Sequence, residues 1–339
     1  MAPKKLIVVK YGGSVLEDGL AFRNAAEAVK DEYERGVEVV VVVSALRGVT
    51  DQLLSVADDI SPDTSKDVID HIIGLGEEQS VRLMTSALKG IGVDAVEITP
   101  DSPSWPIVTD ETYGDAEPIV EECRGNVELG LEPLIERGRV PVVCGFTGRS
   151  TDGNITTLGR GGSDTTAVIL ARCLGADEVI LVKDVAGVYS SDPKKVESAR
   201  SIGRLSAWEA SLMASAGAQV LHDKVFKYKP KDLPIRIVSR YEPLNGDGTM
   251  IDGTVPLNSV ESYNCPVSLL YMIGDTVSKP SRIIRITQAV EVAGGRILGI
   301  KANGELTMLV VDGNPSDNLR RAHELVESGE VKAVSCTEN

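Results

Sequence analysis

The residue types that could do chemistry sit in a few polar stretches. The longest, residues 145–164, reads Gly-Phe-Thr-Gly-Arg-Ser-Thr-Asp-Gly-Asn-Ile-Thr-Thr-Leu-Gly-Arg-Gly-Gly-Ser-Asp. Glycines let backbone approach a ligand without a Cβ clash, and a helix start offers unpaired N–H groups to an anion. Arg160, set among glycines, can form a paired hydrogen bond to a carboxylate or phosphate. Ser163 or Asp164 would serve as N-cap of a following helix. On its own residues the stretch is equally a capped helix after a glycine-rich turn or a ligand site. A second stretch is Lys10-Tyr11-Gly12-Gly13-Ser14. A lysine at a strand end is commonly a solvated charge, but beside a diglycine turn and ahead of a helix it is well placed to meet phosphate. Ser44-Ala45-Leu46-Arg47-Gly48-Val49-Thr50 forms a third polar loop, and Lys183-Asp184-Val185 opens a fourth. Glu77, by spacing alone, is an ordinary helix charge.

The elements that must position these residues follow from hydrophobic periodicity. Residues 5–11, 37–43, 140–143 and 178–185 are near-continuous apolar runs, the pattern of parallel strands covered on both faces. Residues 94–98 and 234–238 read as further strands, 107–116 as a hairpin or flap, and 21–35, 67–89, 125–137, 165–174 and 206–218 as helices. The alternation implies a three-layer α/β/α sandwich with a mainly parallel sheet and right-handed crossovers. In such sheets ligands bind at the carboxyl edge, where the four polar loops converge. Beyond residue 263 the order becomes strand 266–273, helix 280–293, strands 296–301 and 305–311, helix 316–328 and strand 331–335. This βαββαβ order is a ferredoxin-like unit. The expected domains are residues 1–258 and 264–339.

Composition narrows the partners. The chain has 339 residues, 42% hydrophobic and 25% charged, enough for two domains of ordinary globular type. A net charge of −15 argues against nucleic acid and acidic membrane surfaces, though not against a small phosphate ligand held by a local cationic pocket. The five cysteines are scattered without metal-site spacing and read as reduced. No secretory signal and no apolar run of roughly 20 residues appears, so the expected location is cytoplasmic and off the membrane.

Taken together, the loops resemble the aspartokinases of the amino-acid kinase family. The resemblance rests on Ser44 to Asp51, Gly76-Glu77, Ile107 to Asp110, Thr156-Thr157-Leu158-Gly159-Arg160-Gly161-Gly162-Ser163-Asp164 and Asp184-Val185-Ala186-Gly187-Val188-Tyr189, in that order. It covers roughly residues 5–255, and the C-terminal unit looks like a single ACT domain where typical members carry two. The resemblance implies transfer of the ATP γ-phosphoryl group to the side-chain carboxylate of aspartate, with Mg²⁺ held mainly by the nucleotide phosphates. It implies catalytic roles for Lys10 and Asp164 and acceptor binding by Ser44, Thr50, Glu77, Arg160 and Ser163. Gly12, Gly13, Ser14, Lys183, Asp184, Tyr189, Lys194 and Gln219 would meet the nucleotide. A single ACT-like unit would have to pair between chains, which implies an isologous homodimer or a higher homo-oligomer.

The sequence departs from the family pattern at several points. The usual Lys-Phe-Gly-Gly-Thr-Ser-Val is Lys10-Tyr11-Gly12-Gly13-Ser14-Val15-Leu16 here. Gln219 stands for a lysine that would meet phosphate, a charge glutamine cannot supply. Lys183 replaces a usual threonine, and Lys183 or Lys224 is the expected compensation for Gln219. These departures keep open a paralogue acting on another small carboxylate or phosphate, and a catalytically weak amino-acid-binding regulator.

Overall fold

The computed structural model describes residues 4–193, 196–215, 221–253, 268–273, 279–292, 296–303, 306–312, 320, 322–323 and 333–337. In chain order its elements begin with β1 (Leu6–Tyr11), α1 (Gly19–Glu34), β2 (Glu38–Val43), α2 (Val49–Ile60), α3 (Lys66–Gly90), β3 (Ala95–Ile98) and β4 (Val108–Thr109). There follow α4 (Val120–Gly130), α5 (Glu132–Glu136), β5 (Val140–Cys144), β6 (Thr147–Ser150), β7 (Ile155–Thr157), α6 (Gly162–Leu174) and β8 (Glu178–Lys183). Next come β9 (Val188–Tyr189), β10 (Ser201–Ile202), β11 (Arg204–Ser206), α7 (Ala207–Ser215), α8 (Asp223–Tyr228), β12 (Ile235–Ser239) and β13 (Thr249–Asp252). The C-terminal part holds β14 (Ser268–Ile273), α9 (Pro280–Val292), β15 (Arg296–Asn303), β16 (Leu306–Asp312) and β17 (Ala333–Thr337).

The chain divides into two compact units, residues 1–186 with 224–253 and residues 187–223 with 254–339. In the first, strands stand in the order β13-β12-β8-β1-β2-β5-β3. All neighbours from β12 to β3 pair in parallel and β13 runs antiparallel. The sequence dictates this: Val39 to Val43 of β2 are all buried, each contributing roughly 1.5–3 kcal/mol over exposure. α1 covers the sheet through Phe22, Ala25, Ala26 and Val29, and its start is fixed by Asp18, whose side chain accepts from the Ala21 N–H at 2.8 Å. α6 is buried over almost its whole length and ends at Gly175 in the left-handed conformation. No helix among the described residues is long and apolar enough to cross a membrane.

The second unit contains the expected four-stranded sheet, in the order β15-β16-β14-β17 with every pair antiparallel. That is the ferredoxin-like order, although the helix expected over 316–328 lies largely outside the described residues. Instead of one boundary after residue 258, residues 187–223 group with this unit. The physical cause is packing: Val196, 3% exposed, joins Leu270, Met272, Ile286, Val290, Leu309 and Ala322 in one buried cluster. Ser190 Oγ also lies 2.6 Å from the buried His323 Nε2.

Candidate active site

In the first unit, the carboxyl ends of β1 and β2, the loop before α6 and one residue of α3 enclose a cleft of about 460 Å³. Lys10, Gly13, Ser14, Ser44, Thr50, Glu77, Arg160, Ser163 and Asp164 line it, so most residues singled out in the sequence converge on one place. Parallel strands put their carboxyl ends on one edge, and short loops to α1, α2 and α6 keep the polar residues there.

Lys10 is the last residue but one of β1 and is 6% exposed. Its Nζ lies 2.5 Å from Asp164 Oδ1, and Lys183 Nζ, from the end of β8, lies 3.0 Å from Asp164 Oδ2. One carboxylate therefore bridges two ammonium groups. Burial alone would raise the Asp164 pKa, but Lys10 and Lys183 outweigh it and hold the carboxyl well below the usual range. Burial lowers the Lys10 pKa against the pull of Asp164. The row carries one net positive charge, placed where an anionic phosphoryl group would be drawn.

The backbone around it is shaped for close approach. A Cβ on Gly13 would fall 2.7 Å from the Ala45 carbonyl oxygen, and one on Gly12 would fall 3.1 Å from Lys10 Nζ. The start of α6 corrects the sequence expectation about its cap. The cap residue is Gly161, at φ 73°, with no side-chain cap, and Ser163 and Asp164 lie inside the first turn. α2 likewise starts behind Gly48, at φ 80°, with no side-chain cap. Both helix starts line the cleft with N–H groups uncovered by a capping side chain, a setting suited to anions.

Also in the cleft, Glu77, 3% exposed on α3, has an Oε2 with no hydrogen-bond partner among the described residues. Burial pushes its pKa up to about 8, against the Ala45 N–H and the Lys10 charge, which pull it down. Ser44 Oγ donates to Ser163 Oγ at 2.9 Å, tying the β2 loop to α6. Arg160 is exposed on the cleft wall and makes no hydrogen bond or ion pair among the described residues. Besides the Lys10 row, the cleft thus offers a guanidinium without a partner among the described residues and a buried carboxyl group whose charge interacts with that of Lys10. That pairing matches a ligand carrying both a carboxylate and an ammonium group.

The remaining expected residues divide. Asp184 follows β8, exposed, and does not line the cleft. Tyr189 belongs to the second unit. Lys194 and Gln219 lie outside the described residues. Lys183 joins the site through Asp164, whereas the Lys224 ammonium is buried elsewhere. It donates to Asp115 Oδ1 at 2.8 Å and to the Ala116 and Leu158 carbonyls at 2.9 Å each. An ammonium has three N–H donors, so Lys224 does not stand in for Gln219.

Sequence reasoning passed over Arg47, Asp51 and Phe146, which also line the cleft. Phe146 holds φ 64°, rare for a bulky side chain, and nothing in its residue type signals that. Its strained backbone sits where Leu158 N–H donates to its carbonyl at 2.8 Å and a Cβ on Gly162 would meet its ring.

A model of the amino acid kinase family matches residues 5–239. The aspartokinase of Mycobacterium tuberculosis is 36% identical over 252 residues, covering 74% of this chain and 58% of that protein. Aspartokinase 2 of Bacillus subtilis is 38% identical over 250 residues, 73% of this chain and 59% of that protein. The chain spans less than two thirds of the length of these curated relatives. Among solved structures, E. coli aspartokinase III in complex with aspartate and ADP superposes with a TM-score of 0.66 at 24% identity, covering 98% of this chain and 86% of that one. Aspartate kinase from Synechocystis superposes with a TM-score of 0.63 at 26% identity, covering 96% and 54%.

Proposed function

The chain belongs to the amino acid kinase family, and on that premise we propose that it transfers the γ-phosphoryl group of ATP to the side-chain carboxylate of L-aspartate, giving 4-phospho-L-aspartate. The observation that carries the reading is a single cleft lined by Lys10 and Asp164, with Lys183 paired to Asp164, and by Arg160 and Glu77.

The attacking group is a carboxylate oxygen, already anionic near neutral pH, so no strong general base is needed. The obstacle is repulsion between two anions, overcome by alignment and positive charge. Lys10 would meet the transferring phosphoryl group, with the Gly12-Gly13 turn and Ser14 beneath the phosphates. Asp164 would hold Lys10 and Lys183 in place as the charge shifts. Lys183, and with it Asp184, Tyr189, Lys194 and Gln219, would face the nucleotide. Arg160 would clamp the acceptor's α-carboxylate, Glu77 would take its ammonium, and Ser44, Thr50 and Ser163 would orient it. Mg²⁺ would enter on the nucleotide phosphates and neutralise part of their charge. The C-terminal sheet would serve as a single ACT-like unit through which two chains pair.

Hydroxylamine trapping tests the reaction, because an acyl phosphate yields a hydroxamate. The expected result is an ATP- and aspartate-dependent hydroxamate that falls about 10²–10³-fold in Lys10→Ala. Product with acetylglutamate instead would favour the paralogue suggested by Ser14-Val15-Leu16, and no aspartate-dependent product would sink the aspartate reading.

A further inference from the structure

We propose that Glu17 is a positioning residue that sets the shape of the phosphate-binding turn, an assignment that rests on the kinase reading above. The turn itself has little to pin it. Gly12 and Gly13 carry no side chains, and the chain folds back through Val15 N–H and Leu16 N–H, which donate to the Gly12 carbonyl at 2.9 and 3.0 Å.

Glu17 lies just past this turn, and its two carboxylate oxygens face two arginines from different parts of the sheet edge. Oε1 is 2.7 Å from Arg240 Nη1, beyond β12, and Oε2 is 3.1 Å from Arg47 Nη1, beyond β2. Each arginine also grips the turn's backbone. Arg47 Nη2 donates to the Ser14 carbonyl at 2.7 Å and its backbone N–H to the Leu16 carbonyl at 3.2 Å. Arg240 Nη1 donates to the Val15 carbonyl at 3.4 Å, and its backbone N–H to the Lys183 carbonyl at 2.8 Å.

A single carboxylate thus joins the ends of β1, β2 and β12, and through Lys183 the end of β8. The carbonyls held this way belong to Ser14, Val15 and Leu16, the residues at which this chain departs from the usual Thr-Ser-Val. Removing the Glu17 charge would leave two guanidinium groups facing one another across the turn. The Arg47, Glu17 and Arg240 side chains are 55%, 32% and 22% exposed, so the pairs hold geometry more than they add stability.

The test is calorimetric titration of the full chain with Mg·ADP, without acceptor, for the wild type, Glu17→Gln, Arg240→Gln and the double variant. Glu17→Gln is expected to bind nucleotide about tenfold more weakly, with its melting temperature and the acceptor KM essentially unchanged. Arg240→Gln should weaken binding similarly, and the double variant should be no worse than Glu17→Gln because both break one clamp. Nucleotide affinity within twofold of wild type in both single variants, or an acceptor KM that rises as much as the nucleotide Kd, would overturn the assignment. An error in the acceptor's identity leaves the Mg·ADP titration untouched. A wild-type chain that binds no Mg·ADP overturns the kinase reading and the assignment with it.

Discussion

Burial raises the Glu77 pKa from 4.5 to about 8, which favours its protonated form at pH 7. Between those values the folded protein keeps a proton that the unfolded chain releases, so this group's contribution to stability falls as pH rises from about 4.5 through about 8. A bound ammonium reverses the preference, since an adjacent positive charge favours the carboxylate. Acceptor binding at pH 7 should therefore release close to one proton, seen as a buffer-dependent binding enthalpy that vanishes in Glu77→Gln. Buffer-independent enthalpy in the wild type would refute the ammonium contact. Of the residues that line the cleft, those beside glycines drew notice from sequence alone: Lys10 ahead of Gly12, and Arg160 between Gly159 and Gly161. Glu77 looks like any helix charge until the fold buries it. Arg47 and Phe146 escaped notice because their roles depend on a loop pairing and on a backbone angle that residue type does not reveal.

Loops and helix starts hold these groups in place, and Lys224 shows how. It fastens the segment around residues 114–117 to Leu158, just ahead of the Gly159 turn that carries Arg160. From the other side Asp70 of α3 accepts from Gly114 N–H at 2.9 Å and from Thr157 N–H and Oγ1 at 2.8 and 2.7 Å. Lys224→Met would leave the Ala116 and Leu158 carbonyls without this donor. A loss of about 2–4 kcal/mol is expected in urea denaturation, and unchanged stability would show the ammonium to be dispensable. The apolar strands and long helices were readable from periodicity. The β6–β7 hairpin was not, since Thr-Gly-Arg-Ser and Ile-Thr-Thr are short and polar. Nor was α2, which follows a left-handed glycine and buries only Ala57. The position of the α6 cap was missed for a related reason: Ser163 and Asp164 are good caps by type, but Gly161 supplies the backbone geometry and frees them for the cleft.

At the scale of the molecule, the parallel sheet and the antiparallel four-stranded sheet were both visible in the order of elements. The grouping of residues 187–223 with the C-terminal sheet was not, because it depends on Val196 and Ser190 meeting partners more than seventy residues away in sequence. The proposed pairing of two such sheets predicts a particle of twice the 36.1 kDa chain mass by light scattering at micromolar concentration. A monomer there would refute it.

The place of β1 in the sheet has a consequence for how firmly the groups of the cleft are held. β1 is flanked on both sides, with Lys10 in register with Val42 and Leu181. Arg160, itself exposed, sits between two half-buried left-handed glycines, outside the strands of the sheet. The Lys10 backbone is therefore held by pairing on both sides of its strand, whereas the Arg160 turn is held by the contacts of its neighbours Thr157 and Leu158. The lysine answers to the sheet, and the arginine to its turn.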